Sequence, residues 1–455
     1  MINKKPLFSK NYLLRLVWPL IVEQFLAMTI GACDVIMVSS IGEAGVSGVS
    51  LIDQLGQLFI QLFAAFATGG AVIASQYLGN KDEENAKKSA KQLFYLCALT
   101  GILIIALCLP FRRQILTAIF GKTDENVMQN ALTYFIWILF SFPLLGIYNS
   151  CSALCRAMGN SKISLKVSLL MNILNIVGNA VLIYGAKIGV AGAGISTLLS
   201  RAAAAIVMVK ILSNKKFPVH LEKIFKIEVN FYLIKKILKV AVPSGIENSV
   251  FHIGKTLVYS FMSGFGLTAI SANAISNTIA SFSNIPASAV GLAGETVVGQ
   301  CIGANEKEQA EYYGKTIMKF AYISMIFLSI LIFLICPLAV KFFNLSEESR
   351  VLTVGIVRSC MIANILVWPL SFTLPEILRG AGDAKFTMIV SNLSMWLFRV
   401  LGSFVISRMI LKFFPQNTSL ALYGIWFGMY IDWIVRGTFY FIRFKSKKWL
   451  NKKVI

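Results

Sequence analysis

Charged side chains are scarce in this 455-residue chain: Asp, Glu, Lys and Arg make up 14%, and histidine occurs only twice, as His220 and His252. A soluble globular protein carries about 25% charged and about 45–50% apolar residues. Here the apolar share is 56% and the mean hydropathy is +0.71, which excludes an ordinary soluble domain. Enzyme signatures are missing as well. There is no HExxH and no GxSxG, so hydrolytic and metal chemistry has no visible apparatus, and no cofactor is expected. "IGKTL" and "YGKTI" end like phosphate loops, but the glycine such a loop needs five positions earlier is Ser249 in one and Gln309 in the other. No CxxC occurs, and the cysteines (Cys33, Cys97, Cys108, Cys151, Cys155, Cys301, Cys336, Cys360) fall almost entirely inside apolar segments. They read as small buried hydrophobes. The first apolar segment is too long for a cleavable leader and lacks a small-residue cleavage site, so it is expected to stay as a helix.

What the chain does contain is a series of long apolar runs. Those near 11–39, 46–76, 90–110, 127–152, 163–184, 190–212, 235–263, 267–300, 312–339, 350–374, 385–410 and 420–443 are each long enough to cross a ~30 Å hydrocarbon core as a helix. The net charge of +22 would suggest nucleic acid in a soluble protein, but its placement points to a membrane. Basic residues gather at the N-terminus (Lys4, Lys5, Lys10), after the second run (Lys81, Lys87, Lys88), around Arg156 and Lys162, in the centre (Lys215, Lys216, Lys223, Lys226, Lys235, Lys236) and at the C-terminus. The alternate loops "SSIGEAGVSG" and "SGFGLTAIS" hold no Lys or Arg. The positive-inside rule then places both termini in the cytoplasm, with an even number of spans and no nucleic-acid partner.

A shift of 224 lays Pro19 and Glu23 on Pro243 and Glu247, and Gln76 and Gly79 on Gln300 and Gly303. At 223, Arg156, Gly159 and Lys162 fall on Arg379, Gly382 and Lys385. The chain therefore reads as a duplication. Residues 1–212 form a first lobe of six helices, 213–232 a cytoplasmic connector and 233–455 a second lobe. Six is even, so the two bundles are parallel repeats, a plan found among secondary transporters. The fold class expected is an all-α polytopic membrane protein of twelve transmembrane helices.

Polar groups inside the apolar runs are the functional candidates. Asp34, in "TIGACDVIMVSS", is an acid within a membrane-length helix, where insertion costs roughly 2.5 to 3.5 kcal/mol. Ser168, Asn172, Asn175 and Asn179 recur at steps of 4, 3 and 4 and so share one helix face. Such a stripe serves either a polar site or interhelical packing. "GVAGAGIST" adds small residues and the Thr197 hydroxyl. Gln54 and Gln57 beside Asp53, and Asn277 with Asn273 and Asn284, could line a wet cavity or pack against a neighbour. Glu23 and Glu247 follow the repeated prolines and suggest a shared structural role, with Lys255 a candidate to neutralise Glu247. Asp432 and Arg436 form an i, i+4 pair with a structural reading.

The ordered set "WPLIVEQ", "GACDVIMVSSIG", "GGAVIASQYLGNKDEENA", "LCRAMGNSK", "NILNIVGNAVLIYG", "GVAGAGIST", "VVGQCIGANEKEQA", "ILRGAGDAKFT" and "YGIWFGMYIDWIVRG" resembles the multidrug and toxic compound extrusion (MATE) transporters across nearly the whole chain. The resemblance implies a V-shaped two-lobe cavity and a monomeric multi-pass protein of the cytoplasmic (inner) membrane, in contact with lipid. It implies an antiporter that exports small amphipathic, often cationic, organic compounds in exchange for H⁺ or Na⁺. The family's first-lobe cation site maps onto Asp34, Asn175, Asn179 and Thr197, where Na⁺ could also be held. Asn179 replaces a common second acid, which leaves Asp34 the sole carboxylate of the four. Gln54, Gln57, Asn172, Glu247 and Asn277 are expected in the substrate cavity, and Pro19 at a helix bend. The family's other branch has second-lobe acids where this chain has Phe251 and Trp368. The alternative is a flippase for a lipid-linked precursor, which would need a strongly cationic cavity drawing on Lys255, Arg358 and Arg399.

Overall fold

The computed structural model describes residues 6–121, 123–222, 224, 226–343, 345–415 and 417–455. Lys4, Lys5, Lys223 and the side chain of Cys33 lie outside the described residues. The helices are α1 (Lys10–Ser39), α2 (Glu43–Gly79), α3 (Glu83–Cys108), α4 (Arg112–Phe120), α5 (Glu125–Ala157), α6 (Ser161–Asn179), α7 (Gly189–Leu212), α8 (Phe231–Met262), α9 (Leu267–Gly303), α10 (Lys307–Ala339), α11 (Glu347–Leu366), α12 (Leu374–Gly380), α13 (Ala384–Ser394), α14 (Ser403–Phe413) and α15 (Thr418–Lys445). No strand occurs among the described residues. The protein is an all-α polytopic membrane protein.

Eleven described helices are long and apolar enough to cross a membrane, with α13 and α14 counted as one through the π-helical turn Met395–Gly402. α8 has the length at 32 residues, but Glu247, His252 and Lys255 dilute its hydropathy. The run expected at 350–374 is interrupted. α11 ends at Leu366 and a π-helical turn, Pro369–Thr373, leads into α12. Pro369 has no N–H and Pro375 follows within two turns, so the i→i−4 ladder cannot run through. The nine-residue α4, with only Leu116 buried, is a surface helix that the hydropathy pattern did not indicate.

The chain divides into two compact units, one of Phe8–Gly245 and one of Ile246–Val454 joined by the preceding N-terminal residues. In the second unit, Leu7 N donates to Gln309 Oε1 at 2.8 Å. In the first unit, small residues set helix spacing. A Cβ on Gly48 would stand 2.8 Å from the Ala131 backbone nitrogen, and one on Gly194 2.7 Å from Trp137 Cβ, so α2 and α7 both approach α5 closely. The segment before α8 is tied to α3. Gln92 Nε2 donates to Glu228 O at 2.7 Å while Gln92 Oε1 accepts from Asn230 N at 3.0 Å, and Tyr95 OH donates to Ile224 O at 2.8 Å. The seven described cysteines are free thiols, six of them buried.

Candidate functional site

The first unit assembles a polar cluster from α1, α2, α5, α6 and α7. Asn175 and Asn179 are one helical turn apart on α6, which passes into a π-helical turn (Ala180–Gly185) directly after Asn179. Such turns often mark functional positions in helices. Asn179 is fully buried and its Nδ2 donates to Asp34 Oδ1. Its Oδ1 is buried with no hydrogen-bond partner among the described residues. Asn175 Nδ2 donates to Thr197 Oγ1 at 3.3 Å, and Ser196 Oγ donates to Asn175 O at 2.7 Å. The four residues of the expected cation set are thus linked in pairs, Asp34 with Asn179 and Asn175 with Thr197.

Two further groups join them. Arg201, one turn beyond Thr197 on α7, interacts electrostatically with both Asp34 and Asp53, and its Nη1 donates to Ser141 Oγ at 2.6 Å. Tyr134 OH donates to Asp53 Oδ1 at 3.4 Å and lies beside Thr197. Asp34 and Asp53 thus share one arginine, Arg201. Sequence reasoning overlooked Arg201 and Tyr134. Arg201 had a usable signal: it is the lone charged residue between Gly189 and Val209.

Of the expected substrate-cavity residues, Gln54, Gln57 and Asn172 belong to the first unit and Glu247 and Asn277 to the second. Gln54 and Gln57 are exposed on α2 next to Asp53, and Asn172 donates to Ser168 Oγ at 3.5 Å. Pro19 lies inside α1, where it leaves the Arg15 carbonyl without its i+4 donor. In the second unit Glu247 is buried and bound by Arg379 Nη1 at 2.9 Å and Thr387 Oγ1 at 3.2 Å. The cation that neutralises Glu247 is therefore Arg379 from the "LRGAGDAK" echo, in place of Lys255. Glu23, its repeat partner, accepts from Ser164 Oγ at 3.0 Å with Arg156 nearby. Each repeat thus carries an acid, an arginine and a hydroxyl in corresponding positions.

Asn277 lines a cavity of about 280 Å³ in the second unit, together with Lys255, Arg399, Phe251 and Trp368. Arg358 is elsewhere, against the Phe333 ring at 5.0 Å. Asp432 and Arg436 are both buried and bonded at 2.7 Å. Among the described residues no three His, Cys, Asp or Glu side chains cluster to hold a metal ion.

The MatE family model matches residues 19–181 and again 243–405. The chain belongs to the MatE family. Both ends of the second match lie 224 residues after the first, the same displacement that aligns Pro19 with Pro243. A MatE protein is a transporter and not an enzyme. The chain is 27% identical to the transporter YisQ of Bacillus subtilis (strain 168), covering 99% of this chain and 97% of the relative. It is 26% identical to the probable multidrug resistance protein NorM of Thermotoga maritima, covering 98% and 94%. The crystal structure of MATE in the straight conformation superposes with a TM-score of 0.87 at 20% identity, covering 96% of this chain and 97% of that one. That likeness supports the fold.

Proposed function

We propose that this MatE transporter is an antiporter of the cytoplasmic membrane that exports small amphipathic organic compounds in exchange for H⁺ or Na⁺. The observation that carries this reading is the unpartnered buried Oδ1 of Asn179 beside the Asp34 carboxylate. A buried acceptor left without a donor costs about 1–3 kcal/mol, and a cation shared with a carboxylate removes that cost. Asp34 supplies the charge, while Asn179 Oδ1 and Thr197 Oγ1 supply hard oxygen donors of the kind Na⁺ prefers. A proton on Asp34 is the other coupling ion this acid can carry. The relatives named for multidrug resistance and multidrug export support organic compounds as the cargo. Six helices per lobe (1–212 and 233–455), both termini in the cytoplasm and a monomer immersed in lipid complete the reading. Cation and cargo must favour opposite conformations, with reciprocal effects on each other's binding.

Everted membrane vesicles containing the protein test this. Dye accumulation driven by an imposed Na⁺ gradient or an imposed pH gradient is expected, and the responsive gradient names the ion. Accumulation under neither gradient overturns the antiport reading. A flippase for a lipid-linked precursor is the second reading, favoured by Lys255 and Arg399 lining one cavity.

A further inference from the structure

The cavity of about 280 Å³ in the second unit is walled by aromatic side chains, among them Phe251, Trp368, Phe372, Trp426 and Trp433. Trp368 and Phe372 stack with centroids 4.8 Å apart. Its volume is near the lower end of small-molecule pockets, which suits a one- or two-ring compound. Its charged lining consists of Lys255 and Arg399.

Neither cation is hydrogen-bonded to an acid, although Arg399 forms a long ion pair with Asp432. Arg399 is 7% exposed, and its Nη1 has no hydrogen-bond partner among the described residues. Asp432 Oδ2 is 3.7 Å away, beyond hydrogen-bond length. Asp432 is also already engaged, accepting from Arg436 Nη2 at 2.7 and 3.0 Å and from Ser394 Oγ at 2.6 Å. Stacking of Arg399 on Phe251 at 5.0 Å occupies the face of the guanidinium without neutralising it. Lys255 has no salt-bridge partner among the described residues, since Glu247 is taken by Arg379 and the charge felt most at Lys255 is that of Arg399. A third wall group, the buried Trp433 Nε1, is a donor without an acceptor. Lys255 and Arg399 are thus the two charged groups of the wall, and no acid lines the cavity among the described residues. A buried charge is retained when something pairs with it, and here the unpaired groups are all donors.

We infer that this cavity binds a small aromatic organic anion, its carboxylate, sulfonate or phosphate held by Lys255 and Arg399 and its ring held among the tryptophans. Describing that anion as transported cargo rests on the antiport reading; the binding site itself does not. A cation in the same place meets two like charges and no free carboxylate, so the usual cationic cargo is disfavoured here.

The test uses the full chain in nanodiscs, with quenching of tryptophan fluorescence as the readout. The probes are naphthalene-2-sulfonate, the trimethylammonium analogue on the same ring, and a polyprenyl phosphate. The sulfonate is expected to bind about tenfold or more tighter than the ammonium compound. Lys255→Gln is expected to weaken the sulfonate about tenfold, while Lys315→Gln, whose amine is already paired with Glu311 at 2.7 Å, leaves it unchanged. Arg399→Gln is expected to act like Lys255→Gln. If it does not fold, because Asp432 loses a neighbour, Lys255→Gln carries the test, since it strands no acid. Equal or tighter binding of the ammonium compound, or a Lys255→Gln protein with unaltered sulfonate affinity, overturns the inference. Binding of the polyprenyl phosphate alone overturns the small-molecule assignment and gives the site to a lipid headgroup. Asp34→Asn is expected to retain sulfonate binding, and a wild-type protein that binds the sulfonate but shows no gradient-driven transport counts against the antiport reading and leaves this site standing.

Discussion

Asn179 is the residue whose chemistry bears most on ion choice. Its amide nitrogen is committed to Asp34 and its oxygen is unspent. Changing Asn179→Asp adds a second acid to a cluster that already holds Asp34, Asp53 and Arg201, so the site gains negative charge. Sodium affinity is expected to rise on the order of tenfold, about 1.4 kcal/mol, measurable as sodium-dependent thermal stabilisation in detergent; an unchanged or weaker sodium response contradicts a cation at this position. Asp34 stood out in the sequence as an acid in an apolar run and Asn175 and Asn179 by their helical spacing, while their grouping with Thr197 came from the family resemblance. Arg201 and Tyr134 were harder to find. Arg201 is one turn beyond Thr197 on α7, while Tyr134 comes from α5 and its contact to Asp53 joins residues 81 apart.

At the scale of elements, the repeated acid, arginine and hydroxyl sets lock helices together in each half. Glu247 on α8 is held by Arg379 on α12 and Thr387 on α13, and Glu23 on α1 by Ser164 on α6. Removing one partner of a buried pair strands the other charge, which costs about 3–5 kcal/mol. Arg379→Met is therefore expected to lower the unfolding temperature in detergent more than Arg358→Met, since Arg358 is exposed and lies against a phenylalanine ring. Equal effects of the two changes contradict a structural lock. The hydropathy pattern placed most helices to within a few residues, because membrane-length apolar runs need no tertiary information. The break after Leu366 was missed although Pro369 and Pro375 mark it, because its flanks are as apolar as the segment. α8 was recognised as the apolar run near 235–263, even though its own polar groups depress its hydropathy.

At the scale of the whole molecule, the duplication and the alternation of basic loops carry the topology. On the proposed orientation, with both termini in the cytoplasm, a single cysteine introduced at Gly42 in the loop after α1 is expected to react with a membrane-impermeant maleimide applied to intact cells. One introduced at Ser446, after α15, is expected to react only after permeabilisation. The reverse pattern contradicts the assigned orientation. The two repeats nonetheless differ where chemistry is concentrated. The first gathers the carboxyl groups of Asp34 and Asp53 around Arg201, and the second lines a cavity with Lys255 and Arg399 and, among the described residues, no acid. Duplication was readable from matched residues, whereas this divergence became visible only when partners were assigned to each charge.

The central claim is that Asp34 carries the coupling cation. The most direct measurement compares wild-type and Asp34→Asn protein, at equal membrane content, for dye accumulation in everted vesicles under the gradient that drives the wild type. Loss of gradient-driven accumulation, with the variant still inserted and folded, is the result predicted; undiminished accumulation by Asp34→Asn would contradict it.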